Sequence, residues 1–145
     1  MGFRRLMARV RYVADTSVFA RLVKPAVAAV FAPLAAAREV AVTGPVAFEL
    51  GYAARSAADY DALTSRLQAF PSPPTTEADH RRALDVQGRL ASRGQHRALS
   101  FVDALVAATA EARGLIVLHY DADFELVSQI TGQPHEWVVA RGSVD

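Results

Sequence analysis

Four acidic residues of the chain stand in surroundings that are otherwise apolar, which is an unusual place for a charge. They are Asp15, Glu49, Asp103 and Asp121. Asp103, for example, is the only charged residue between Arg97 and Glu111, in a segment that is apolar nearly all round. An ionised carboxylate that is buried without a partner costs several kcal/mol or shifts its pKa upward. Each acid therefore needs a local reason, and binding of a metal ion is one such reason.

Each acid taken alone also has a structural explanation. Aspartate commonly caps a helix N-terminus. Asp103 lies three residues after Ser100, which resembles a capping box with Asp in place of the usual Glu. The residues with a possible capping role are Asp15, Asp103, and either Asp121 or Asp123, whereas Glu49 can simply face solvent.

The secondary structure that must position these acids alternates strands with helices. The predicted strands are 10–14, 39–43, 115–118 and 137–140. The predicted helices are 16–37 with a break at Lys24-Pro25, 45–55, 59–70, 76–93, 100–114 and 123–131. This alternation predicts an α/β fold with a central, mainly parallel sheet that is covered on both faces.

In such a fold, the ends of the strands and the starts of the following helices share one edge of the sheet. Asp15 and Asp121 each follow a predicted strand, and Asp103 lies in the first turn of the helix that leads into the strand before Asp121. Glu49 lies about one turn into its helix, near the same edge. Four converging acids would repel one another unless a cation neutralises them, and oxygen-only ligands favour Mg²⁺ or Mn²⁺.

Composition excludes several other classes of protein. The 145 residues suit one domain, and a net charge of +1 does not indicate nucleic-acid binding by bulk electrostatics. The chain has no Cys, which removes disulfides and thiolate metal sites and fits a cytoplasmic location. The four His are scattered without zinc-site spacing, and no glycine-rich nucleotide-binding motif occurs. We find no convincing signal peptide and no apolar run that could cross a membrane.

Four segments in order resemble the PIN-domain ribonucleases, and within them the VapC toxins of bacterial toxin–antitoxin pairs. The segments are VADTSV at 13–18, FEL at 48–50, SFVDALVAATA at 100–110 and LHYDADF at 118–124. The resemblance covers almost the whole chain, from about Arg11 to the last strand. The third segment is the most specific, and the ordered set is stronger than any one segment.

The resemblance implies a three-layer α/β/α PIN-like fold, with residues 1–145 as a single nuclease domain. Residues 1–9 exceed the pattern, and we interpret them as a flexible extension or as a sign that Met7 is the true start. The implied activity is that of an endoribonuclease dependent on Mg²⁺, for which Mn²⁺ can substitute. Water would attack the RNA phosphodiester, leaving a 5′-phosphate and a 3′-hydroxyl.

The resemblance also implies roles for individual residues. The acidic set is Asp15, Glu49, Asp103 and Asp121, with Asp15, Asp103 and Asp121 as metal ligands. Asp123 is expected to be an accessory metal ligand that mainly caps the helix after it. The residues expected near the metal's water or the RNA phosphate are Thr16, Ser17, His96 and Arg97.

The implied partners are an RNA substrate, a VapB-type antitoxin protein and a second copy of the chain. Apolar helical positions that fit such a protein contact, or that simply form the core, are Val18, Phe19, Leu22, Tyr52, Tyr60, Leu63 and Leu67. Arg81 and Arg82 are interpreted as a solvated helix face rather than an RNA contact.

Two other functions remain open at this point. A receiver domain or an aspartyl-phosphate phosphatase also places acids at strand ends, but the one lysine, Lys24, is not near a late strand. The phosphatase pattern needs a second acid just after the first strand, where Thr16-Ser17 stand. The remaining alternative is a catalytically silent PIN-like module that binds RNA or a protein, and an intact acid set disfavours it.

Overall fold

A four-stranded parallel sheet lies at the centre of the computed structural model, which describes residues 2–145. The strands are β1 (Tyr12–Ala14), β2 (Val40–Ala41), β3 (Ile116–His119) and β4 (His135–Trp137), in the order β2-β1-β3-β4. All three neighbouring pairs are parallel, with Val13 beside Val117 in the β1–β3 register. The predicted parallel α/β sheet is therefore confirmed.

Helices surround this sheet. They are α1 (Gly2–Met7), α2 (Thr16–Phe19), α3 (Pro25–Ala36), α4 (Gly44–Tyr52), α5 (Ala57–Leu67), α6 (Glu77–Ala91), α7 (Phe101–Arg113) and α8 (Asp123–Thr131). Because strand side chains alternate between faces, Val13 and Val117 join one apolar cluster, whereas Tyr12 and Leu118 join another. Residues of α4, α7 and α8 complete the first cluster, and residues of α2 and α3 complete the second. This is the expected three-layer α/β/α arrangement.

The helix α7 is buried on most of its surface, as its all-round apolar sequence predicts. Ser100 caps its N-terminus, and Gly114 ends it in the left-handed conformation with φ 67°. A left-handed residue costs little for glycine, and here it reverses the chain directly into β3. The same helix therefore carries Asp103 at its start and delivers the strand that precedes Asp121.

Tertiary contacts shift several element boundaries from their predicted places. Val10 precedes β1 because its N–H bonds to Met7 O at 3.1 Å. The strand β2 stops at Ala41 because the N–H of Val42 bonds to Pro71 O at 2.9 Å instead of a neighbouring strand. The strand predicted at 137–140 is wrong in position, since β4 covers His135–Trp137.

The N-terminal segment is helical where the sequence suggested only an extension. The helix α1 covers Gly2–Met7, and Met7 packs against the first apolar cluster. Met1 lies outside the described residues. Among residues 2–145, no helix is both long enough and apolar enough to span a membrane.

Candidate metal centre and active site

Three of the predicted acids meet at the carboxyl edge of the sheet. Asp15 directly follows β1, Asp121 follows β3 after one intervening residue, and Asp103 lies in the first turn of α7. One carboxylate oxygen from each of the three lies within 4.8 Å of the others. This spacing suits a shared cation, because hard divalent ions hold carboxylate oxygens at about 2.0–2.6 Å from the metal.

Asp15 is the most deeply buried of the three, with 2% of its surface exposed. Its Oδ2 accepts the N–H of Ser17 at 3.0 Å and so caps α2, as predicted. Its Oδ1 is buried and has no hydrogen-bond partner among the described residues. Burial raises the pKa of Asp15, the Ser17 bond opposes this, and the nearby Asp121 charge adds to it. One oxygen of Asp15 is thus available to a ligand that the chain itself does not supply.

Asp103 shows the strongest electrostatic conflict at the edge. Burial, followed by repulsion from Asp15, Asp121 and Asp123, raises its pKa to about 8. Ser100 Oγ accepts the Asp103 N–H at 3.1 Å, which is one half of a capping box. The reciprocal bond is not among those made by the described residues, so the carboxylate turns to the cluster instead.

Asp79 shows what a structural acid looks like in this fold. It also lies three residues after a capping hydroxyl, that of Thr76, and both bonds of the capping box are present. Thr109 Oγ1 donates a second hydrogen bond to Asp79 Oδ2 at 3.1 Å, beside the one from the Thr76 N–H. Asp79 is as buried as Asp15, but its carboxylate is satisfied from within the chain. Among the described residues, Asp79 Oδ2 thus accepts two hydrogen bonds, whereas the buried Oδ1 of Asp15 accepts none.

Asp121 and Asp123 divide their roles differently from the sequence prediction. Asp121 Oδ1 accepts the N–H of Asp123 at 2.9 Å, so Asp121 supplies the side-chain bond at the start of α8. The expectation that Asp123 caps this helix is therefore wrong, since Asp123 is its first residue. The structure does not bring Asp123 into the group of three, although burial and the charges of Asp121 and Asp15 raise its pKa.

Glu49 reaches the same edge from α4 but lies outside the group of three. Thr16 Oγ1 donates a hydrogen bond to Glu49 Oε1, which ties the start of α2 to α4. Ser17 Oγ accepts the N–H of Tyr120 at 2.8 Å, linking the same turn to the segment after β3. The two hydroxyls predicted to lie near the metal therefore brace the loops that carry the acids.

His96 and Arg97 belong to neither a strand nor a helix. Both are exposed in the turns between α6 and α7, ahead of Ser100. Arg81 is exposed and forms a salt bridge with Glu77 of its own helix, as expected for a solvated helix face. Arg82 is half-buried and bonds to Glu111 of α7, so the expectation of a solvated helix face is wrong for Arg82. The two groups of basic residues are thus distinguishable by their partners.

His119 is a residue whose contacts the sequence did not reveal. It is fully buried, and burial, followed by the neighbouring His135, lowers its pKa to about 3. Its Nδ1 accepts the N–H of Asp121 at 3.0 Å, and its Nε2 lies 2.8 Å from His135 Nδ1. The one available signal was its position two residues before Asp121.

A groove of about 920 Å³ opens beside the acidic edge, with Thr16 and Glu49 in its wall. Its lining is mostly apolar and includes the exposed side chains of Phe48, Tyr52 and Phe101. Of the apolar positions considered for a protein contact, Val18 belongs to the core, and Phe19, Leu22 and Leu67 are partly buried against it. Leu63 is half-buried, whereas Tyr52 and Tyr60 are exposed and within reach of a partner.

Residues 12–129 match the family model of the PIN domain. Ribonuclease VapC51 of Mycobacterium tuberculosis is 46% identical over 135 residues, which cover 93% of this chain and 98% of that protein. Ribonuclease VapC18 of the same organism is 37% identical over 135 residues, covering 92% and 98%.

Solved structures agree with this at the level of the fold. The DNA-bound VapBC of Salmonella typhimurium superposes with a TM-score of 0.73 at 18% identity, over 90% of this chain and 99% of that chain. A toxin–antitoxin complex from Klebsiella pneumoniae gives 0.69 at 15% identity, over 88% and 98%. The resemblance drawn from the four sequence segments is confirmed. The chain belongs to the PIN-domain family and, within it, to the VapC ribonucleases of toxin–antitoxin systems.

Proposed function

We propose that this protein is a toxic endoribonuclease that hydrolyses RNA with the help of a divalent metal ion, Mg²⁺ or Mn²⁺. The observation that carries the proposal is the group formed by Asp15, Asp103 and Asp121, whose oxygens lie within 4.8 Å of one another. The unpaired, buried Oδ1 of Asp15 fits a ligand of positive charge. Burial first, and then the charges of Asp15, Asp121 and Asp123, raise the pKa of Asp103 to about 8, and a bound cation would offset both effects.

The type of the ligand atoms also indicates which metal ion the site would bind. Carboxylate oxygens are hard ligands, which suit Mg²⁺ and Mn²⁺ better than softer metals. Asp15, Asp103 and Asp121 would hold the ion, with Asp123 in an accessory position. When bound, the ion would supply Lewis-acid activation of water and neutralise charge at the phosphate.

The remaining residues of the edge would then guide the hydrolysis. Glu49 is oriented through one oxygen by Thr16, which leaves its second oxygen to orient the attacking water and accept its proton. The water oxygen bonds to phosphorus, and the bond from phosphorus to the 3′-oxygen breaks. A proton then reaches the 3′-oxygen, so that the products are a 3′-hydroxyl and a 5′-phosphate.

RNA needs positive charge near this acidic edge, because carboxylates alone repel phosphate. Arg97 and His96 are exposed in the turns that precede α7, whose first turn carries Asp103. Arg97 forms no salt bridge among the described residues, unlike Arg81 and Arg82. We assign the phosphate contact to Arg97 and His96 for this reason.

The proposed protein partners are a VapB-type antitoxin and a second copy of this chain. The relatives that superpose on it include proteins solved as toxin–antitoxin complexes. Phe48, Tyr52 and Phe101 are 79%, 87% and 67% exposed, and contiguous exposed apolar surface is typical of protein contacts. Size measurement of the purified chain, with and without the antitoxin, tests both assemblies.

Cleavage of RNA by the purified protein tests the proposed activity. We expect activity with Mg²⁺ or Mn²⁺, loss in excess EDTA, and recovery when the metal is restored. Asp103→Asn should be inactive, whereas Asp61→Asn, at an exposed position of α5, is the matched control. The cleaved RNA should carry 5′-phosphate ends.

Two results would contradict this proposal. Cleavage that persists in excess EDTA, or products with cyclic 2′,3′-phosphate ends, would exclude metal-assisted attack by water. A protein that binds RNA but cuts nothing under any metal condition would be the silent binding module.

A further inference from the structure

We propose that His119 is a positioning residue that orients the metal ligand Asp121 through its main chain. The inference rests on the proposed metal centre and adds to it a residue that makes no contact with the ion. Its basis is the hydrogen bond of 3.0 Å from the Asp121 N–H to His119 Nδ1. Residues behind a ligand commonly fix its geometry and change metal affinity.

The hydrogen bonds define which nitrogen of His119 carries the proton. A backbone N–H donates to Nδ1, so Nδ1 must be unprotonated. The ring proton is then on Nε2, which donates to His135 Nδ1 at 2.8 Å. His135 therefore selects the tautomer of His119 that can hold Asp121.

A cage of aromatic rings fixes the plane of the His119 ring. The ring centroids of Phe124, His135 and Trp137 each lie 5.0 Å from that of His119. The His119 side chain is wholly buried among them. A ring held in this way cannot rotate without losing its packing, so the position of Nδ1 is fixed relative to the sheet.

Asp121 is in turn held at three points. Its N–H bonds to His119, its carbonyl oxygen accepts the N–H of Phe124 at 3.2 Å, and its Oδ1 accepts the N–H of Asp123 at 2.9 Å. The last two bonds belong to the start of α8, so His119 is the anchor on the strand side. Loss of that anchor would let the segment between β3 and α8 change its direction, and Asp121 would leave the group of three.

Two variants of equal shape separate this role from simple packing. His119→Asn keeps an acceptor oxygen one bond from Cγ, where Nδ1 stood, whereas His119→Leu places a methyl group there. Both lose the aromatic ring and the bond to His135. In an apolar site the Leu variant should unfold at the same or a higher temperature than the Asn variant, because its side chain needs no polar partner.

Binding of Mn²⁺ alone, measured by calorimetry on the purified protein, should show the opposite order. His119→Leu is expected to bind Mn²⁺ roughly tenfold or more weakly than the wild type, as for other residues behind metal ligands. His119→Asn is expected to retain most of the affinity. Equal affinity in the two variants, or an affinity order that follows their stability, would overturn the proposal.

A measurement on the unaltered protein covers the case in which both variants fail to fold. Long-range ¹H–¹⁵N spectra should show His119 with an unprotonated Nδ1 and a protonated Nε2. A protonated Nδ1 would exclude the bond to Asp121 and overturn the proposal. If the wild type binds no Mn²⁺ at all, the metal centre itself is wrong, and the spectra would still report on the His119 bond separately.

Discussion

The hydroxyl of Thr16 donates a hydrogen bond to Oε1 of Glu49, joining two residues that lie 33 positions apart in the chain. Thr16 is the first residue of α2, directly after the buried Asp15, whereas Glu49 comes from the middle of α4. Glu49 is therefore oriented by the same turn that carries Asp15, one of the proposed metal ligands. The bond fixes one oxygen of this half-buried acid beside the start of α2, which supports the role proposed for Glu49 in the same reaction.

Removal of this bond should slow RNA cleavage without abolishing it. A hydrogen bond to a charged group is worth about 1.5–3 kcal/mol, so Thr16→Val should reduce the cleavage rate roughly ten- to a hundredfold. Thr16→Ser keeps the hydroxyl and should retain most of the rate. Single-turnover kinetics with saturating Mg²⁺ would measure both, and a Thr16→Val enzyme with the wild-type rate would exclude the assigned role of the bond.

The stability of the metal-free protein should fall as the pH rises from about 6.5 to about 8. Asp103 has a pKa raised from 3.8 to about 8 in the folded state, so the folded protein holds a proton that the unfolded chain has released. The resulting loss of folding stability is absent below about pH 4, grows as the pH rises, and reaches its full size above about pH 8. Chemical denaturation at several pH values in EDTA would measure this slope.

His119 changes the stability in the opposite direction at lower pH. The effect of Asp103 is therefore best measured above about pH 6.5. The pKa of His119 is lowered from 6.5 to about 3, so stability is lost as the pH falls through that interval. Between pH 6.5 and 8 the fall should come mainly from the carboxylates. The control is Asp103→Asn, which should remove most of the slope, and an unchanged slope in that variant would contradict the assignment.

Mg²⁺ should stabilise the folded protein chiefly through Asp121, with a smaller contribution from Asp123. An ion at 100 times its dissociation constant adds about 2.7 kcal/mol to the free energy of unfolding. For a chain of this size, each kcal/mol raises the melting temperature by roughly 2–4 °C. Asp121→Asn should lose this rise, because Asp121 belongs to the group of three.

The matched variant for this test is Asp123→Asn. Its side chain lies outside the group, so the thermal shift with Mg²⁺ should persist even though removal of one charge weakens it somewhat. A shift that disappears in Asp123→Asn and survives in Asp121→Asn would reverse the roles of the two acids.

The convergence of Asp15, Asp103 and Asp121 was predictable because it follows from local signals and one rule of topology. Asp15 and Asp121 follow short apolar segments that are typical of a buried strand, and Asp103 lies in the first turn of a helix with a clear capping residue. Ends of parallel strands and starts of the connecting helices share one edge. Their shared position at one edge of the sheet could therefore be predicted without knowledge of any side-chain contact.

The distinction between Asp79 and Asp103 was not predictable in this way. Both lie three residues after a Thr or Ser that caps a helix, so their local sequence is the same type of capping signal. Only the tertiary structure places Thr109 beside Asp79, and Asp15 and Asp121 near Asp103. The role of His119 was hidden for the same reason, since its partner His135 is 16 residues away in the sequence.

The chain reversal between α7 and β3 should depend on Gly114. Its φ of +67° is a left-handed conformation, which costs a residue with a Cβ about 1–2 kcal/mol. Gly114→Ala should lower the free energy of unfolding by about that amount. Because the turn leads into the strand before Asp121, Mn²⁺ affinity of the folded variant reports whether the change reaches the metal centre.

The helix α6 offers the control for this substitution. Gly88 lies inside that helix, and a Cβ added there would meet no atom within 4 Å. Alanine favours a helix over glycine by about 1 kcal/mol, so Gly88→Ala should stabilise the protein. If denaturation showed the two substitutions with the same sign, the left-handed turn would not be the cause.

Arg97 should contribute to RNA binding, whereas Arg81 should not. Both arginines are exposed, but Arg81 forms a salt bridge with Glu77, with 3.2 Å between Nη1 and Oε1. Arg97 lies in the turns that precede the helix of Asp103 and is available to a phosphate. Arg97→Ala should raise the KM for RNA and lower the slope of log affinity against log salt by about one. Arg81→Ala should leave both quantities unchanged, and an equal loss in the two variants would mean that only the net charge of the protein matters.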